Sequence, residues 1–175
     1  MPTLEAVVPD PDPASYHYVP AGGRAECPQI KMARLNGSIF FGAVAHLQQE
    51  LLAMQEQAPR QKHLVLMASG INFVDLAGAE FLADTARRYA REGGSPSFYR
   101  MKDNVAATLR HGGFMAEIGE HNLHPAKSRP ADALLPQLDR RLCAQCPHHL
   151  FTGCPTADTT APAASSLVLT EGVMP

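Results

Sequence analysis

Apolar and polar residues alternate along Ile30-Lys-Met-Ala-Arg-Leu35, the period of a half-buried strand. Asn36-Gly37 is a turn pair and Ile39-Phe-Phe41 reads as a second short strand, so residues 30–41 predict a hairpin. From Gly42 the period changes. Val44, Leu47, Leu51 and Met54 recur at three- and four-residue spacing, one apolar stripe of a helix that Pro59 stops. His63-Leu-Val-Leu-Met-Ala68 is short, unbroken and bounded, as a buried strand is. A helix follows from about Ala77 to Arg91, with Phe81, Leu82, Thr85, Ala86 and Tyr89 inward and Gly93-Gly94 at its end. Ser97 to Met101 predicts another strand, and Asp103 or Asn104 caps a short helix to Arg110 that Gly112-Gly113 closes. Glu117 to Leu123 carries only a weak pattern, readable as an edge strand. Ala131 to Leu142 predicts a terminal helix with Leu134, Leu135, Leu138 and Leu142 inward. This order predicts one α/β domain, a mixed, mostly parallel sheet flanked by about four helices. No internal repeat is visible.

The remaining segments lack such patterns. Residues 1–29 hold six prolines, and Pro9-Asp-Pro-Asp-Pro13 forces extended backbone, so the stretch reads as a leader or linker with no core of its own. Residues 30–142 are the expected domain, 143–155 a Cys/His-rich tail, and 156–175, rich in Ala, Thr, Ser and Pro, a tail expected to be disordered. At 175 residues and 45% hydrophobic the chain suits one domain plus tails. A net charge of −2, with basic residues scattered and densest at Arg87, Arg88 and Arg91, leaves no footprint for nucleic acid. No apolar run approaches the ~20 residues of a transmembrane helix. No basic region followed by an apolar stretch marks a secretory signal at the N-terminus. The chain as given therefore reads as soluble, with reduced cytosolic thiols.

Two places carry candidate chemistry. Asp75 follows the buried strand and opens a helix, where open α/β sheets place their ligand or partner site. The plainer reading is an N-cap that accepts from backbone N–H groups two or three positions on. The sharper one is a contact loop, comprising Asn72, Asp75, Leu76, Ala77, Gly78 and Glu80, on a helix N-terminus that favours anions. It holds no nucleophile, phosphate cradle or proton shuttle. The second place is Cys143-Ala-Gln-Cys146-Pro-His-His-Leu-Phe-Thr-Gly-Cys154, three thiols and two imidazoles in twelve residues. A four-coordinate zinc site could be built from Cys143, Cys146, Cys154 and His148 or His149, although a regular second pair is missing. Structural or adventitious thiols are the plainer reading. Pro147 stands where a c-type haem needs its axial His, and Cys143 at a helix end is badly placed for a reactive thiolate. Cys27, beside Pro28, has no evident partner. The other histidines are dispersed, and no set of nucleophile, base and oxyanion stabiliser can be assembled, so an enzyme is not expected.

Two runs, Glu26-Cys-Pro-Gln-Ile-Lys-Met-Ala-Arg-Leu-Asn-Gly-Ser-Ile-Phe-Phe-Gly-Ala-Val44 and Ser69-Gly-Ile-Asn-Phe-Val-Asp-Leu-Ala-Gly-Ala-Glu80, closely resemble the STAS domain of SulP-type sulfate permeases. The Cys143-x-x-Cys146 … Phe151-x-x-Cys154 tail is similar to the end of many bacterial members. The leader, with Val8-Pro-Asp10, looks like the segment leaving their last membrane helix. The resemblance covers about residues 1–155. It implies a STAS-like fold, a place on the cytoplasmic face of the inner membrane, and a non-catalytic role in regulation, assembly or partner binding. The partners implied are the membrane domain of a parent transporter of sulfate or a related anion, a second copy in a homodimer, or a cytosolic regulator. In the antagonists of anti-sigma factors that share the domain, the loop reads Asp-Ser-Ser-Gly and its second Ser is phosphorylated. Here Ala77 takes that place, so the charge that drives the switch cannot be installed. Inward-facing Thr85 is a poor substitute. Alternatives are a free-standing antagonist-like protein without the switch, and a small Cys/His metalloprotein.

Overall fold

The computed structural model describes residues 1–155; the expected disordered tail, 156–175, lies outside the described residues. One six-stranded sheet runs through it, formed by β1 (Thr3–Pro9), β2 (Tyr18–Pro20), β3 (Ile30–Asn36), β4 (His63–Gly70), β5 (Pro96–Tyr99) and β6 (Leu123–His124). The spatial order is β2-β1-β3-β4-β5-β6. β1 is antiparallel to both neighbours, while β3 to β6 are parallel, giving the expected mixed, mostly parallel sheet. Helices α1 (Phe41–Gln57), α2 (Leu76–Arg91), α3 (Asp103–His111), α4 (Met115–Ile118), α5 (Pro130–Leu134) and α6 (Arg140–Gln145) complete it.

Side-chain alternation assigns the strands to two cores. Ala33 and Leu35 of β3 and Leu64, Leu66 and Ala68 of β4 join Leu47 and Leu51 of α1, the inward face of α2 and Leu109 of α3. Ile30, Met32, Val65, Met67 and Tyr99 point the other way, onto Ala131, Leu134 and Leu138. Both faces of β3 are therefore covered, and the half-buried reading of 30–35 needs correcting. Lys31 is buried because Glu26 accepts from its ammonium at 2.8 Å. An ionised group survives at such depth by pairing.

Three further expectations are corrected. Residues 1–29 are not a coreless leader: β1 is inserted between β2 and β3, with Val7 and Val8 buried. The prolines fall at the strand ends and in the connecting loop, where no ladder N–H is needed. The hairpin at 30–41 does not form. Ile39 makes a single parallel bridge to Val74, and Phe41 opens α1. The terminal helix 131–142 is broken into α5, a 3₁₀ turn over Leu135–Gln137 and α6, because Pro136 lacks the N–H an uninterrupted helix would use. The weak segment 117–123 is α4 and a 3₁₀ turn leading into the short edge strand β6.

Candidate functional site

The carboxyl end of β4 runs through Ile71–Val74 to Asp75, the N-cap of α2. Asp75 Oδ1 accepts from the Gly78 N–H at 2.8 Å, the capping bond expected from sequence. Its other oxygen, Oδ2, accepts from the Phe41 N–H at 2.9 Å, at the start of α1. One carboxylate thus satisfies orphan donors of two helices, which the capping pattern alone could not reveal. Two backbone bonds brace the arrangement, Asp75 N–H to Ile39 O at 3.2 Å and Ile39 N–H to Phe73 O at 2.9 Å. Gly78 lies against Ile39, where a Cβ would stand 2.3 Å from the carbonyl oxygen. The N–H groups of Gly78 and Phe41 hold the Asp75 carboxyl below its usual range. The carboxylate is therefore committed, as an acceptor, to its own helix ends. It occupies the N-terminal position that a bound anion would take and is a poor proton shuttle.

The other loop residues divide by environment. Asn72 is exposed, its side-chain oxygen receiving Lys102 and its carbonyl receiving Asn104 Nδ2 at 2.9 Å. Glu80 faces solvent and accepts from Arg87 at 2.8 Å, a guanidinium that also bridges Asp84 and Glu117. Ala77 is half-buried in the first turn of α2. Thr85 is buried and gives its hydroxyl to Phe81 O at 2.8 Å, which keeps it from an external phosphoryl donor. Around Asp75 stand large apolar side chains in water: Phe41 is 81% exposed, Leu76 75% and Phe73 54%. The apolar pattern does not mark this set, because Ile39-Phe-Phe41 reads as a strand. Its signal is a Phe-Phe pair outside the inward stripe of α1.

At the other end of the sheet, Cys27, Cys143, Cys146 and Cys154 are all free and half-buried. They line one narrow cleft of about 20 Å³ with Pro28, Gln29 and His149. His148 lines instead a separate cleft of about 450 Å³ beside Tyr16 and Arg129. The structure thus brings Cys27 to the three tail thiols and leaves His148 outside. Gln29 fastens the tail to the head of β3: its amide donates to Asp139 O at 3.0 Å and accepts from Asp139 N at 2.8 Å. The same nitrogen also donates to Cys143 Sγ at 3.3 Å. Burial pushes the Cys27 and Cys143 thiols up, and the neighbouring Cys146 and Cys154 push them further. Among the described residues no three His, Cys, Asp or Glu side chains stand close enough to hold a metal ion as placed, so the set Cys143, Cys146, Cys154 and His148 is not preassembled.

This α/β module thus caps two helices with one carboxylate beyond the end of β4 and surrounds it with exposed apolar side chains. The STAS domain model matches residues 25–129, and the chain belongs to the STAS domain family. A putative sulfate transporter of Bacillus subtilis (strain 168), YvdB, is 23% identical over 103 residues, covering 59% of this chain. The chain spans 19% of the length of that relative. Among solved structures, the murine anion transporter Slc26a9 in its inward-facing state matches 79% of this chain and 23% of its own, at 20% identity and a TM-score of 0.64. The unphosphorylated anti-sigma factor antagonist SpoIIAA matches 66% of this chain and 96% of its own, at 13% identity and a TM-score of 0.51. At these identities the structural likeness is one of fold, and that fold is the expected STAS-like sheet. No helix among the described residues is long and apolar enough to cross a membrane.

Proposed function

We propose that the chain is the non-catalytic cytoplasmic domain of a SulP-type transporter of sulfate or a related inorganic anion, acting in assembly and regulation. The observation that carries the reading is the exposed cluster of Phe41, Phe73 and Leu76 around Asp75. Solvated apolar side chains gathered at one end of a sheet mark an interaction surface, and the likeness to transporters supports the membrane domain of the same protein as its partner. Asp75 positions the surface by joining the two helix ends that carry Phe41 and Leu76.

The test is made in the complete transporter encoded by the reading frame that contains this chain. The substitutions Phe41→Ser and Leu76→Ser together should reduce anion uptake or transporter assembly. Because both side chains are already in water, the urea midpoint of the purified domain should move by less than about 0.5 kcal/mol equivalent. Unchanged uptake and assembly would remove this surface from the reading. A reading frame without a block of hydrophobic spans would remove the transporter.

A second reading is a free-standing antagonist-like protein, favoured by the match over nearly all of SpoIIAA. Capture of a protein kinase that loses its grip on Asp75 or Glu80 variants would support it. Ala77 removes the hydroxyl such a kinase would modify in the loop.

A further inference from the structure

We propose that Cys27, Cys143, Cys146 and Cys154 form a four-thiolate site for one zinc ion, which staples the C-terminal tail to the head of β3. The four sulfurs come from three places in the chain: Cys27 in the segment before β3, Cys143 and Cys146 in α6 and at its C-cap, and Cys154 in the turn that begins at Phe151. All four line the same cleft, and its volume of about 20 Å³ admits a single atom-sized occupant. Cys143 and Cys146 have the two-residue spacing that seats a pair of thiolates on one tetrahedral ion, and Cys27 with Cys154 supplies the second pair that the tail sequence lacks. An outer-shell donor is already in place, since Gln29 gives an N–H to Cys143 Sγ at 3.3 Å while its other bonds fix the backbone at Asp139.

The chemistry selects the ion. A set of sulfur ligands with no carboxylate in the cleft favours a soft or borderline cation over magnesium or calcium. Binding exchanges thiol protons for the metal, so four S–H bonds are lost to solvent as protons and four Zn–S bonds form. As placed, the thiols do not yet enclose an ion. Loading therefore requires the four side chains to close on the ion, and residues 140–154, which carry three of them, are not paired into the sheet. This site is independent of the transporter reading.

The test uses the full 175-residue chain, kept reduced, stripped with a chelator and titrated with zinc in the presence of a chromogenic thiol reagent. One zinc should bind per chain, and the four thiols that react in the stripped protein should become protected together. Cys27→Ser should weaken zinc binding by more than the ~10–100-fold that loss of an outer-shell partner costs, whereas His148→Ala should leave it unchanged. Far-UV circular dichroism checks that the Cys27→Ser chain is folded, and cobalt(II), with its thiolate charge-transfer band, repeats the titration on wild type. Three results would each overturn the proposal. These are sub-stoichiometric zinc, binding indifferent to Cys27→Ser, and thiol protection without metal that reduction reverses, the mark of a disulfide.

Discussion

Asp75 holds together what the loop presents. Each oxygen has one backbone donor, and the donors belong to different helices. Asp75→Ala should therefore lower the urea midpoint, while Asp75→Asn, which retains one acceptor oxygen, should lower it less. The pH dependence has a definite sign. Because the folded carboxyl titrates below its ordinary value of 3.8, its stabilisation is present above that value and is lost as pH falls below it. Wild type should lose stability in that acid range more steeply than Asp75→Asn. Gly78 makes a complementary case. A methyl there would press on the Ile39 carbonyl at 2.3 Å, so Gly78→Ala should cost roughly 2 kcal/mol despite its better helix propensity. The cap was legible because it depends on neighbours three residues apart. The bond to Phe41 was not, because it joins positions 34 residues apart and depends on where α1 begins.

Elements were legible where a single period persists. The inward face of α2 is buried at Phe81, Leu82, Thr85, Ala86 and Tyr89, the five positions its spacing picks out. The unbroken apolar run of β4 is explained by its two cores, Leu64 and Leu66 on one side and Val65 and Met67 on the other. The pattern misleads where a single proline or turn pair decides the outcome. Pro136 breaks an apparently continuous helix, and beyond the turn pair Asn36-Gly37 the backbone continues to a parallel bridge and forms no hairpin. His63, first residue of β4, shows how an element junction titrates. Its Nδ1 accepts from the Ser95 N–H at 3.1 Å, a bond available only to a ring unprotonated at that nitrogen. Burial, aided by Lys62, lowers its pKa, so the unfolded chain binds the proton more readily. Stability should fall as pH drops through the ordinary value of 6.5, and His63→Gln, which keeps an acceptor, should flatten that slope. Denaturant midpoints on either side of 6.5 measure it. An unchanged slope in the variant would assign the effect to His124, whose pKa burial also lowers.

At the scale of the molecule, the N-terminal segment is a structural layer and not a coreless leader. Its prolines read as a leader or linker without a core, yet Thr3–Ala6 alternates exposed and covered side chains and Val7 and Val8 are both buried. β1 supplies the antiparallel partner of β3 over Thr3–Ala6 and of β2 over Val7–Pro9, so it closes one side of the parallel sheet. Without it, β3 would be an edge, with unpaired backbone along Ala33–Asn36 beside the buried side chains of Ala33 and Leu35. Val7 adds a direct contribution by packing in the second core with Ile30, Met32 and Tyr99. Val7→Ala should cost about 2 kcal/mol, from the lost apolar surface and the gap left behind. Deleting residues 1–20 should do more, leaving a protein that unfolds at lower denaturant and associates through the uncovered β3 edge. Size-exclusion chromatography and urea melts of the two variants check both. If the deleted chain stayed monomeric and equally stable, β1 would be an accessory to the sheet, and the domain proper would begin where the family model begins, at residue 25.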